Sequence, residues 1–183
     1  MKAVLAALML FTAACGEKSA DVSPAVANTA AGEIQLTGRV VDNANLLTPE
    51  KKLALTSKLV ALENETSDQL VVVTLPDLKG AKLDVVAQSL GNGWGIGRAD
   101  IDNGVLLVVA PKERQVRIQV GYGLEGLLTD QRAAVVVREM LPKFRAGDLP
   151  AGIELGVDRI QSVLLSDRVR PRYLNEARRK AAA

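Results

Sequence analysis

Gly104-Val105-Leu106-Leu107-Val108-Val109-Ala110, Pro111-Lys112-Glu113-Arg114, Gln115-Val116-Arg117-Ile118-Gln119-Val120: the reading of this stretch decides the fold class. The first run is apolar throughout after its glycine, with three β-branched valines, and it is too short for a typical helix. It reads as a strand buried on both faces. The last run alternates polar and apolar residues, as a strand with one face in water does. Four residues that open on a proline separate them, so the two strands form an antiparallel hairpin.

Working outward, Gln69 to Leu75 is a second buried strand with three consecutive valines, and Pro76 stops it. A helix over Leu83 to Leu90 and a glycine-rich loop from Gly91 to Gly97, built around Trp94, connect it to the hairpin. Farther upstream, a short strand at Arg39 to Val41 runs into the polar loop Asp42 to Asn45. Thr48 then caps a helix that Pro49 opens and that ends between Asn64 and Ser67. Downstream come a second glycine-rich loop, Gly121 to Thr129, and a helix from Asp130 to Met140 that Pro142 stops. A last helix runs from Pro150 to Leu165, with Ile153, Val157, Ile160 and Leu164 at helical spacing. Strands alternating with helices predict an α/β fold: a central mixed β-sheet of about four strands, flanked by helices on both faces.

The ends of the chain carry different signals. Lys2, an uncharged apolar run from Ala3 to Phe11, and the small residues before Cys15 read as a signal peptide over 1–15. That run falls short of the roughly 20 residues needed to span a bilayer. Cys15 is the only cysteine in the chain and follows small residues, so it is the expected lipid acceptor, although Thr12 stands where leucine is more usual. Residues 16–35 read as a flexible tether, 36–166 as one domain and 167–183 as a basic tail. The expected location is the periplasmic side of a bacterial envelope, with the chain anchored to the membrane through lipid on Cys15; the alternative, with Cys15 only a small residue of an ordinary cleavage region, is a soluble periplasmic protein.

With 23 basic against 21 acidic residues, the balance of charge gives no reason to expect a nucleic-acid partner. The chain has no histidine, which removes Ser-His-Asp, Cys-His and histidine-phosphate chemistry. What is left is carboxylates, hydroxyls, amides, lysine, arginine or a hard metal ion held by oxygen. Asp42, Asp100, Asp102, Glu125 and Asp130 all fall in loops or at element ends, and they would converge if the strands leading to them end at one sheet edge. An EF-hand starting at Asp100 is excluded, because Pro111 occupies its twelfth position. Gly91 to Gly97 lacks the lysine and hydroxyl of a P-loop. Gly121 to Gly126 is spaced like a dinucleotide fingerprint but sits in a hairpin, so tight turns explain it better.

Taken together, the motifs resemble the TPM domain family, which includes YgcG-type bacterial proteins and thylakoid-lumen acid-phosphatase-like proteins. The resemblance rests on Val40-Val41-Asp42-Asn43-Ala44, Trp94-Gly95-Ile96-Gly97 and Asn103-Gly104-Val105-Leu106-Leu107. It continues in Gly121-Tyr122-Gly123-Leu124-Glu125-Gly126, Thr129-Asp130 and Pro142-Lys143-Phe144-Arg145-Ala146-Gly147-Asp148. It implies an α/β sandwich and a site for Ca²⁺ or Mg²⁺, with either metal-dependent acid phosphatase activity or calcium binding without catalysis. The catalytic and metal-binding residues it implies are Asp42, Asp102 and Asp130, with Glu125 as a further ligand and Asn103, Tyr122 and Trp94 in support. In the alternative without catalysis, the domain is a calcium-binding module that docks on an envelope or membrane protein complex.

The N-terminal reading yields the first expected outcome. Cys15→Ser should move the chain from the membrane fraction to the soluble fraction, or block its maturation. Fractionation that finds it still membrane-bound would refute lipid attachment at Cys15.

Overall fold

A computed structural model of the chain describes residues 34–181, with side chains described through residue 166. The expected signal peptide, Cys15 and nearly all of the expected tether lie outside the described residues. β3 (Gly104–Ala110) is buried at every position. On one side it pairs in parallel with β2 (Gln69–Thr74), Gln69 opposite Gly104 and Thr74 opposite Val109. On the other it pairs antiparallel with β4 (Gln115–Val120), Val105 opposite Val120. β1 (Val40–Asp42) lies parallel to β2 at the outer edge, giving the order β1-β2-β3-β4. The mixed four-stranded sheet and its hairpin match the reading of the sequence.

Because strand side chains alternate between faces, each central strand feeds two cores. Leu70, Val72, Val105, Leu107 and Val109 pack with α1 (Pro49–Thr66), α3 (Asp130–Arg145) and α4 (Leu149–Ala181) through Leu59, Val136, Ile153 and Ile160. Val71, Val73, Leu106 and Val108 meet α2 (Leu83–Trp94) through Val86, Ala87 and Leu90. Each fully buried Val or Leu contributes roughly 1.5–3 kcal/mol, so no single contact dominates. The crossovers through α1 and α2 both step the same way across the sheet yet lie on opposite faces. They therefore have opposite hands, and one is the left-handed kind that right-twisted strands disfavour. Among the described residues, no helix is long and apolar enough to cross a membrane.

The predicted boundaries hold at Thr48, whose hydroxyl accepts a hydrogen bond from the Lys51 amide at 3.3 Å, with Pro49 opening α1. Elsewhere the elements run longer than the sequence suggested. α2 continues through Gly91 and Gly93 to Trp94 and ends at Gly95, whose φ of 58° suits glycine. The stretch from Gly91 to Trp94 is thus helical rather than loop. α3 passes Pro142 and ends at Arg145. Pro142 is exposed, so the carbonyl it leaves without a donor can turn to water. The last turn is also anchored from the other side, because Phe144 fills the space where a Cβ on Gly152 of α4 would stand, 2.2 Å from its ring. α4 itself continues to Ala181, so the backbone of most of the expected basic tail is helical.

Gly104 begins β3 against the 95–103 loop, and a Cβ there would lie 2.2 Å from the Ile96 carbonyl oxygen. Backbone cannot swing aside as a flexible side chain can. Gly104→Ala is expected to cost about 2 kcal/mol or more in a urea melt. Gly126→Ala, with open space around it, should change stability by less than about 0.5 kcal/mol.

Candidate functional site

At the N-terminal end of β3 a cavity of about 310 Å³ opens between α2 and the exit from β4. Its polar lining comes from Gln88 and Asn92 of α2, Asp102, Gln119 of β4, and Tyr122 and Glu125 beyond it. Gln88 and Asn92 are four residues apart, so both fall on one helix face. Gln119 alternates with the core-facing Ile118.

Close backbone packing fixes the two carboxylates. Asp102 adopts a left-handed φ of 46°, a conformation aspartate tolerates better than most residues. Its amide donates to the Arg98 carbonyl at 2.8 Å, and its carbonyl accepts from the Gly123 amide at 3.1 Å. A Cβ on Gly123 would sit 1.7 Å from the Ile101 carbonyl oxygen, so only glycine lets this turn lie flat on residues 101–102. The turn, a short 3-10 helix over Tyr122–Leu124, buries Leu124 beneath it and leaves Tyr122 81% exposed. Glu125 follows directly and lines the same cavity as Asp102.

Asn103 stands behind the site rather than in it. Its Oδ1 accepts from the Arg98 amide at 2.9 Å, while Nδ2 donates to the Ser67 carbonyl at 2.6 Å and to Asp68 Oδ1 at 3.0 Å. Gln69 extends the network by accepting from the Gly97 amide at 2.9 Å and donating to Glu63 Oε1 at 2.9 Å. This buried amide joins the end of α1, the start of β2 and the 95–103 loop. It positions Asp102 without facing a ligand.

The remaining expected residues are dispersed. Asp42 is opposite Thr74, which in turn is opposite Val109, whereas Asp102 precedes Gly104 at the other end of β3. Five residues of strand put roughly 17 Å between those ends. The convergence of Asp42 with Asp102 that a shared sheet edge would have produced does not occur. The Asp42 carboxylate is instead used locally, accepting from the Leu46 amide at 3.1 Å, the Leu47 amide at 2.9 Å and the Thr74 hydroxyl. Asp130 opens α3, where a negative charge complements the helix dipole, and it does not line the cavity. Trp94 donates from Nε1 to the Ile34 carbonyl at 3.2 Å and packs on the α2 core, as an anchor for the start of the domain. Asp100 is exposed and makes a surface pair with Arg98 at 3.6 Å.

Among the described residues, no three acidic side chains gather into a metal-binding cluster. The cavity offers two carboxylates, three side-chain amides and a phenol. Carboxylate and amide oxygens are what a hard cation takes, and two formal charges suit weak rather than tight binding. Gln88, Asn92 and Gln119 were not singled out from the sequence. The signal for the first two was a polar pair at helical spacing running into a stretch that had been read as loop.

A doubly covered mixed sheet with a polar cavity at one end defines an α/β sandwich. The chain belongs to the TPM domain family, whose model matches residues 40–163. It is similar to the N-terminal domain of a protein from P. gingivalis solved by NMR, with 32% identity, a TM-score of 0.66, and coverage of 79% of this chain and 88% of that one. The N-terminal domain of the cg2496 protein from Corynebacterium glutamicum shares the fold at 16% identity and a TM-score of 0.56, over 70% of this chain and 80% of that one. The BA42 protein from Bizionia argentinensis does so at 20% identity and a TM-score of 0.57, over 64% and 81%. A search among curated proteins finds no match.

The differing surroundings of the aspartates predict different consequences of substitution. Asp42→Ala leaves two inward amides and a hydroxyl without their acceptor and is expected to cost about 2–3 kcal/mol by urea unfolding. Asp102→Asn keeps the backbone contacts and should stay within about 0.5 kcal/mol. Equal losses at both positions would overturn this division.

Proposed function

We propose that the chain is an exported, lipid-anchored TPM-domain protein of the bacterial envelope whose cavity at the start of β3 binds Ca²⁺ or Mg²⁺. One observation carries this reading: Asp102 and Glu125 line a single cavity with the amides of Gln88, Asn92 and Gln119. These residues would hold the cation through oxygen, and the charge-paired surface around Asp100 would add little. Asp42 and Asp130 act outside this site, the first by fixing the β1–α1 loop and the second at the start of α3. The N-terminal pattern around Cys15 supports the anchoring, and a tethered domain with an open cation site suits docking on an envelope or membrane protein complex.

A second reading, weak acid phosphatase activity on phosphomonoesters, is favoured by the cavity's size. About 310 Å³ is several times the roughly 30 Å³ share of one water, so a phosphate headgroup has room beside a cation. A bound cation would supply the charge that polarises the phosphoryl oxygen. The protein's part is to orient the ester, with amide donors at Gln88, Asn92 and Gln119 and the hydroxyl of Tyr122.

Calcium titration of the full chain tests the first reading. Millimolar Ca²⁺ should raise the melting temperature by mass action, and Asp102→Asn or Glu125→Gln should remove that rise while leaving the metal-free melt in place. No rise at 10-fold higher calcium would sink the cation site. Hydrolysis of p-nitrophenyl phosphate separates the readings: turnover lost both to chelator and to Asp102→Asn supports the phosphatase, and a calcium-dependent melt without turnover supports the binding module.

A further inference from the structure

A second cavity, larger than the first, lies at the other end of the sheet, and no part of the proposed function uses it. About 630 Å³ opens between the β3–β4 turn and the α3–α4 junction. Its floor is apolar, from the buried Val109 and Ala110 and the half-buried Leu141, Phe144 and Leu149. Two exposed arginines, Arg114 and Arg145, line it as well. Neither has an ion-pair partner among the described residues, in a domain where Arg39, Lys51, Lys58, Lys112 and Arg159 all do.

The described acidic residues adjacent to these arginines form no ion pair with them, although Glu113 Oε2 is buried without a hydrogen-bond partner. Glu113 Oε1 accepts from the Leu78 amide at 3.1 Å, and Asp148 Oδ1 accepts from the Ala151 amide at 3.1 Å, at the start of α4. The turn that carries Arg114 is also fixed: Lys112 pairs with Asp77, and the Arg114 amide donates to the Pro111 carbonyl at 3.2 Å. Arg145 has an ordinary reason for its place, since a cation in the last turn complements the dipole of α3. Arg114 has none. Its φ of 56° is a left-handed conformation that glycine or asparagine would adopt at lower cost, so the fold gains nothing from arginine there.

We propose that this cavity binds a small amphiphilic anion, an oxyanion head held by Arg114 and Arg145 with an apolar tail or ring against Phe144 and Leu141. Charge complementarity selects the head, because two unpaired guanidiniums form charge-assisted hydrogen bonds to carboxylate or phosphate. The floor selects the tail. A volume of this size, mostly apolar with a few convergent polar groups, is characteristic of small-molecule sites.

The test is NMR titration of the full chain with octyl phosphate and with octanoate, which distinguish the two heads, against 1-octanol and inorganic phosphate as half-ligands. Saturable shifts should centre on the amides of Val109, Ala110, Gln115 and Gly147, with at least one amphiphile binding about tenfold tighter than either half-ligand. Arg114→Gly is the decisive variant, because it removes the guanidinium and relieves the backbone, so lost binding cannot be blamed on a lost fold. It and Arg145→Gln should each weaken binding about tenfold. Absence of saturable shifts, shifts centred elsewhere, or unchanged affinity in Arg114→Gly would each overturn the proposal.

Discussion

Backbone meets backbone at the N-terminal end of β3, and most of what is distinctive in this domain follows from that approach. Gly104 lies against the Ile96 carbonyl, and Gly123 against the Ile101 carbonyl. Side chains at these points would stand inside the opposing atoms. The glycines bring the 95–103 loop, the start of β3 and the turn after β4 into one layer, and the buried Asn103 amide ties that layer to α1 and β2. Removing any one strand of this arrangement would move Asp102 or Glu125, because neither carboxylate is held by its own side chain.

The glycine-rich segments therefore act as packing devices. Phosphate-binding loops present free amides to a ligand, whereas here the Gly97 amide donates to Gln69, the Gly121 amide to Gly104 and the Gly123 amide to Asp102. Amides committed inside the fold cannot cradle an anion. The cavity next to them is polar through its side chains, which suits a hard cation, while the arginine-lined cavity at the opposite sheet end suits an anion. The sheet separates two cavities of opposite chemical lining, each placed where strands end and connections begin.

How much of this was legible beforehand depended on whether the signal was local. The valine runs Gln69–Thr74 and Gly104–Ala110, the alternation in β4 and the Thr48-Pro49 cap are properties of neighbouring residues, and the structure repeats them nearly residue for residue. The ends of α2 and α3 were misjudged because glycine and proline were read as stops. Gly91 and Gly93 cost helix propensity, but Leu90 and Trp94 on either side of them pack into the core, and Pro142 loses one hydrogen bond on an exposed face while Phe144 locks the turn beyond it. Tertiary packing outweighed a penalty of a few kcal/mol in both cases.

The sequence by itself determined the α/β class, the hairpin, the two buried strands and the exclusion of histidine and disulfide chemistry, since composition and short-range periodicity carry all of these; its motifs carried the resemblance to the family. Only the tertiary structure decided which loops share a sheet end. Three strands run parallel and the fourth returns, so the loop before β3 and the exit of β4 meet while the exit of β1 lies at the far end. That separates Asp42 from Asp102 and unites Asp102 with Glu125, Gln88 and Gln119. Outside the hairpin, strand order and crossover hand depend on contacts between residues far apart in the chain, and no local pattern encodes them.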